Sequence, residues 1–350
     1  MIDHRARSVA LLVLALSIVT ASAAAAQTFR VHRTAIGGEG GSDYLAADTA
    51  TGRVYVSRGT HVMVVDGATE KVIGDIGDTP RVHGIAFARG VHRGFTTNAG
   101  DSTSTMFDLG TMAVIGKVHA GKDGLDGIMY DDATDRILTI DHSRPLGTAV
   151  VIDPAKGEPA NTVVLTGNAP EGGVSDGKGR IFINIEDGNA IDVVDSKTWK
   201  VAATWPIAPC DGPTGIAMDR ETNRIFSGCS DTSVVVDAVT GKVVAKLHAG
   251  AGVDALGWDP SEKLIYIPAG RDGIVTIYHE DAPDKYSLVA TVKTMTGVRT
   301  IAVDPKRHVA YGFTPEYGPA PAPAAGETAP PSGRPRRGPI IGAWFFTITH

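Results

Sequence analysis

One phrase recurs seven times along this chain, and it constrains the fold more than any other feature. The first clear copy reads Asp43-Tyr44-Leu45-Ala46-Ala47-Asp48, followed by Arg53-Val54-Tyr55-Val56. It returns as Asp126-Gly127-Ile128-Met129-Tyr130-Asp131 with Arg136-Ile137-Leu138-Thr139, and as Thr214-Gly215-Ile216-Ala217-Met218-Asp219 with Arg224-Ile225-Phe226-Ser227. Looser copies begin at His83, Glu171, Asp254 and Arg299, so the steps are 40, 43, 45, 43, 40 and 45 residues. A period of about 40–45 residues built from short strands is the mark of a β-propeller blade.

Each repeat reads as four strands. In the fifth they are Gly215–Met218, Arg224–Gly228, Ser233–Val236 and Lys242–His248. β-Branched, alternating runs support the strands, and Asp, Gly, Asn and Pro punctuate them. The turn between the third and fourth strands carries a D-x-x-T pattern: Asp66/Thr69, Asp108/Thr111, Asp195/Thr198 and Asp237/Thr240. A carboxylate there accepts backbone N–H groups two or three residues on and pins the turn. Asp48, Asp131, Asp176, Asp219, Asp259 and Asp304 fill the same role in the turn after the first strand. Their regularity follows from the repeat, and it disqualifies them as catalytic candidates.

The two ends of the chain complete one another. The last repeat supplies only three strands, Thr300–Val303, Val309–Phe313 and Ile340–Ile348. Phe29–Gly37 matches the fourth-strand segment Lys242–Gly250. The N-terminal strand is therefore expected to complete the C-terminal blade and close the ring, which removes exposed sheet edges. The sequence predicts an all-β, seven-bladed propeller of four-stranded blades, with residues 27–350 as one domain. Pro315–Pro339, rich in Pro, Ala and Gly, cannot supply a ladder and is expected to be a disordered insertion in the last blade.

Residues 1–26 read as a secretory signal peptide rather than as fold. His4, Arg5 and Arg7 precede an apolar run from Val9 to Val19, and Ala24-Ala25-Ala26 fits an A-x-A cleavage site before Gln27. The run is shorter than the roughly 20 residues a membrane span needs. An exported, periplasmic, monomeric protein with no membrane span is expected. Without Asp3, Arg5 and Arg7, the net charge of −6 becomes about −7. An acidic surface argues against a nucleic-acid partner, because phosphate binding needs a basic face. Cys210 and Cys229 flank the first two strands of the fifth repeat. Antiparallel pairing brings them to one end of neighbouring strands, so an oxidising compartment favours a disulfide.

The position opening each first strand does not repeat. It carries Asp43, His83, Asp126, Glu171, Thr214, Asp254 and Arg299. Loops between second and third strands share that face and add Arg58, His61, Asn98, Asp101, Asp141, His142, Glu186, Asp187, Asp231 and Arg271. A binding site needs different groups at equivalent places, although a solvated channel mouth also varies. The ligand-binding candidates are Asp43, His83, Asp126, Asp141, His142, Glu171, Asp254 and Arg299. His83, Asp126 and Glu171 are the candidate ligands for a divalent metal ion. Closely spaced carboxylates are also able to raise one another's pKa and support acid–base work. The chain has no C-x-x-C-H, P-loop, G-x-S-x-G or dinucleotide fingerprint.

Several residues carry a family resemblance. Val54-Tyr55-Val56-Ser57 and Phe95-Thr96-Thr97-Asn98 each precede a strand ending in Val65-Asp66 or Phe107-Asp108, then the D-x-x-T turn and a Lys-Val start such as Lys71-Val72 or Lys242-Val243. In these features nearly the whole mature chain resembles the YVTN-repeat family of β-propellers, which includes YncE-like periplasmic proteins. The resemblance implies a binding or surface protein, and the variable charged ring with the missing catalytic motifs leads to the expectation of a non-enzymatic propeller that binds a small ligand, a metal ion or an envelope protein at the channel mouth. Related propellers include lactonases and lyases, so a lactonase-like hydrolase using His83 or His142 is the alternative.

Overall fold

The computed structural model describes residues 27–122, 124–321 and 337–350. The expected signal peptide and most of the expected disordered insertion lie outside them. The described chain forms seven four-stranded sheets. In the first, Leu45–Asp48, Arg53–Ser57, Val62–Asp66 and Lys71–Ile76 pair in chain order from the inside outward. The next five blades repeat this order. The seventh joins Ile301–Asp304, Val309–Tyr317 and Ile340–Thr349 to Arg30–Ala35 as its outermost strand. Pairing is antiparallel, with Arg30 opposite Thr349 and Ala35 opposite Trp344. Innermost strands neighbour one another around the ring, which closes where Leu45–Asp48 meets Ile301–Asp304. The architecture is an all-β seven-bladed propeller.

Burial explains the strand sequences. Second and third strands are sandwiched between blades, so Val62–Val65 and Ile181–Ile185 are buried on both faces and apolar but for Asn184, whose amide donates to Thr214 O and Gly215 O. Outer strands meet solvent on one side, and Lys200–Pro206 alternates accordingly. The core is a set of apolar layers between adjacent blades. One such layer joins Leu138, Ile140 and Val151 of the third blade to Ile181, Ile183 and Val194 of the fourth. Each fully buried aliphatic side chain contributes about 1.5–3 kcal/mol.

Turn carboxylates act as the repeat implied. Asp66 Oδ1 accepts from Thr69 N at 2.7 Å and Thr69 Oγ1 at 2.9 Å, and Asp237 repeats the pattern with Thr240. Asp48 and Asp219 accept from Ala50 N and Glu221 N, both at 2.9 Å. The recurrent basic residue staples neighbouring blades: Arg53 donates to Leu109 O at 2.7 Å, and Arg93 to Pro154 O at 2.8 Å.

The Pro-rich segment departs from expectation at its start. The ladder of the last blade runs on through Pro315, Glu316 and Tyr317, opposite Ala343, Gly342 and Ile340. Trp344 Nε1 donates to Glu316 Oε2 at 2.7 Å and ties the extended pair together. Composition hid this because the pairing partners lie beyond the Pro-rich run. Cys210 and Cys229 are bridged, with Cα atoms 5.5 Å apart.

Candidate functional site

Five of the seven variable ring residues, Asp43, His83, Thr214, Asp254 and Arg299, line a cavity of about 1250 Å³. Glu186, in a 3-10 turn, and Arg81, Arg271 and Arg337 add to its wall. Asp126, His142 and Glu171 do not line this cavity. They cluster behind His83, whose Nδ1 is 3.8 Å from Asp126 Oδ1.

An ionic chain runs around the ring. Arg299 bridges Asp254 at 3.0 Å and Asp43 at 2.9 Å. His83 Nδ1 meets the other oxygen of Asp43 at 2.5 Å. The backbone of Asp43 is also fixed, since Ser57 Oγ accepts its N–H at 3.0 Å and Thr300 Oγ1 donates to its carbonyl at 2.6 Å. On the far side of His83, His142 Nε2 lies 3.3 Å from Glu171 Oε1. Tyr44 reaches across from the first blade and donates to Glu171 Oε2 at 3.4 Å. Thr214 stays outside the ionic chain and is buried.

Burial and crowding shift the acids upward. Glu171 is pushed up to about 7 by burial and the Asp126 charge, against the opposing pull of His142. Burial and the Asp43 charge raise Asp126. Asp254 rises to about 6 through burial, which Arg299 offsets only in part. Burial works against charge on both histidines, and the neighbouring carboxylates outweigh it. His83 is raised by Asp43 and Asp126, and His142 reaches about 9 beside Glu171 and Asp126. His142 Nε2 and Glu171 Oε1 face each other at 3.3 Å as an ion pair, and this pairing is what raises the histidine. Burial and the surrounding carboxylates raise the Tyr44 phenol well above its ordinary range, so it remains a neutral donor.

Two trios of metal-ligating groups converge within 4.8 Å: Asp43, His83 and Asp126, and Asp126, His142 and Glu171. The expected trio of His83, Asp126 and Glu171 is therefore divided, with Asp126 common to both halves. In the first trio, Arg299 and His83 already occupy both oxygens of Asp43. In the second, Asp126 Oδ1 and His142 Nε2 are buried with no hydrogen-bond partner among the described residues. Asp141 joins neither trio. Its carboxylate accepts from Lys122 N at 3.0 Å, Gly124 N at 2.9 Å and Ser143 Oγ. It shapes the loop whose Gly124 carbonyl accepts the His142 N–H at 2.9 Å.

Other loop candidates serve the frame. Arg58 is fully buried, and Asn98 bonds to Thr103 and Thr105 at 3.1 and 2.8 Å. Asp187 accepts the amides of Asn168 and Ala169, both at 3.1 Å. Sequence reasoning passed over Tyr44, Arg81 and Arg337. The signal for Tyr44 was present: the residue after each ring position is Gly84, Gly127, Gly172, Gly215, Ala255 or Thr300 in the other blades. A Cβ on Gly127 would stand 2.5 Å from Glu171 O. That near-contact explains the small residue there.

Neither a family model nor a curated protein matches the chain. Solved structures do. A chain of Kuenenia stuttgartiensis hydrazine synthase superposes with a TM-score of 0.70 at 16% identity, covering 79% of this chain and 93% of that one. A chain of a mitotic checkpoint complex gives 0.71 at 14% identity, with 87% and 95% covered. The Cps50 (Swd1) β-propeller domain of Myceliophteria thermophila gives 0.65 at 12% identity, with 81% and 96% covered. At these identities the likeness establishes the seven-bladed propeller fold and leaves function to the site itself.

Proposed function

We propose that this chain is an exported, YVTN-like binding propeller whose channel mouth holds a small, polar, anionic ligand. One observation carries the reading. Asp126 Oδ1 and His142 Nε2 are buried with no hydrogen-bond partner among the described residues, beside a cavity of about 1250 Å³. An unpartnered buried polar group costs about 1–3 kcal/mol, which is tolerated where a ligand, ion or water completes it. The cavity is ample for a small molecule. Arg81 and Arg271 line it, and neither forms an ion pair with another described residue. These two guanidiniums favour a carboxylate or phosphate on the ligand.

The leader pattern and the Cys210–Cys229 bridge support export to an oxidising compartment such as the periplasm. Among the described residues no helix is long and apolar enough to cross a membrane. A net charge of about −7 for the mature chain argues against nucleic acid. Calorimetry of the mature chain against small carboxylates and phosphorylated sugars tests the reading. Binding that Arg271→Ala weakens at least about tenfold supports it. A panel with no binder at millimolar concentration overturns it.

A second reading is lactonase-like hydrolysis. Its specific support is Glu171, pushed up to about 7 and so poised to exchange a proton near neutral pH. Turnover of a lactone and ester panel that Glu171→Gln abolishes would favour it. No turnover by the wild type retires it.

A further inference from the structure

We propose that Asp126, His142 and Glu171 form a divalent-metal centre of the zinc class beside the channel mouth, with a coordination position that the protein leaves open. This rests on the reading of that mouth as a binding site.

The donor set is one imidazole and two carboxylates, supplied by adjacent blades. Three protein ligands with a free position is the pattern of open zinc sites. Calcium, which takes about 6–8 oxygens, is poorly served by three groups that include a nitrogen. The spacing also fits. Ligand bonds of about 2.0–2.1 Å at tetrahedral angles put donor atoms about 3.3 Å apart. His142 Nε2 and Glu171 Oε1 stand at that 3.3 Å spacing, and Asp126, within 4.8 Å of both, would close in by a small side-chain adjustment.

The donors are held in place, and the His142–Glu171 ion pair at 3.3 Å is the contact a metal would replace once the imidazole gives up its proton. Asp126 Oδ1 and His142 Nε2 have no hydrogen-bond partner among the described residues. The Glu171 side chain is 10% exposed, and Tyr44 holds its Oε2, leaving Oε1 toward His142. Asp141 fixes the loop that carries His142. Such outer partners orient metal ligands and set their affinity. Because Gly127 lacks a Cβ, the backbone of Asp126 approaches that of Glu171. The neighbouring trio is a control within the molecule. Its composition is the same, yet Arg299 and His83 already satisfy Asp43.

Calorimetry of the chelator-treated mature chain against zinc, manganese and calcium chlorides tests the proposal, with cobalt absorption as a second readout. We expect one zinc per chain with Kd below about 1 µM, weak calcium binding, and a tetrahedral-type cobalt spectrum. His142→Ala and Asp126→Asn should each weaken zinc at least about tenfold. His83→Ala, which removes a neighbour of Asp126 but no proposed ligand, should weaken it clearly less than His142→Ala does. His142→Gln, checked for a native melting curve, guards against a folding defect in the alanine variant. Absence of stoichiometric zinc binding by the wild type overturns the proposal, as does equal loss in His83→Ala and His142→Ala. Small-anion binding by a chain that takes up no zinc would sink the metal centre and leave the channel-mouth reading standing. Loss of both would sink both.

Discussion

Arg58 is a buried cation with no carboxylate partner among the described residues, and its removal should be among the most damaging single changes in this fold. Its side chain is fully buried. The guanidinium donates to the carbonyls of Gly37, Gly38, Gly40 and Gly41 at 3.0, 2.9, 3.2 and 3.3 Å, and stacks 4.6 Å from the Phe313 ring centroid. Gly40, at φ +89°, permits this wrapping, because a Cβ there would sit 1.8 Å from Arg58 O. Four charge-assisted bonds at about 1.5–3 kcal/mol each give roughly 6–12 kcal/mol gross. Burial opposes this: it pushes the guanidinium pKa down from its ordinary value to about 10. That shift corresponds to about 3 kcal/mol. The freed carbonyls partly rehydrate, so the net loss for Arg58→Ala should be about 3–5 kcal/mol. For a domain of this length this corresponds to a Tm fall of roughly 4–8 °C. Arg58→Lys should lose about half as much, because an ammonium cannot span four carbonyls. Urea and thermal melts of both variants measure it. If both lose less than about 1 kcal/mol, the loop does not depend on the guanidinium and the reasoning is wrong.

Two further predictions concern stability. Glu280 is pushed up to about 7 by burial and by Asp219. A carboxylic acid raised above its unfolded value near 4.3 favours the fold at low pH, and that advantage is lost as pH rises toward about 7. Glu280→Gln should therefore gain stability over wild type between about pH 4.5 and 7, by up to roughly 3 kcal/mol above that window. The same advantage at pH 4.5 and pH 8 would refute it. Reducing the Cys210–Cys229 bridge, which closes a loop of 19-residue separation, should cost about 3 kcal/mol by the chain-entropy account. Denaturant melts with and without reductant measure this, and coincident curves would contradict it.

The frame was legible because it is written in local chemistry. Asp66 and Thr69 make their turn bonds within four residues, so the D-x-x-T pattern carries its own mechanism. The closing strand was legible because Phe29–Gly37 copies an outer strand. The site was legible only as a set of positions. Which ring residues meet depends on how seven blades bring distant segments together. Tyr44 and Glu171 are 127 residues apart in sequence. Nothing local indicates that Arg299 neutralises Asp43, leaving the open donors on Asp126 and His142. The loop arginine at position 58 looked like a mouth residue, and the glycines that consume its donors lie before the first blade.

The most direct test of the central claim is anomalous scattering at the zinc edge from crystals of the mature chain equilibrated with one equivalent of zinc. The account predicts a single strong peak within about 2.0–2.2 Å of Asp126 Oδ1, His142 Nε2 and Glu171 Oε1. A peak between Asp43 and His83, or none at the channel mouth, would contradict it.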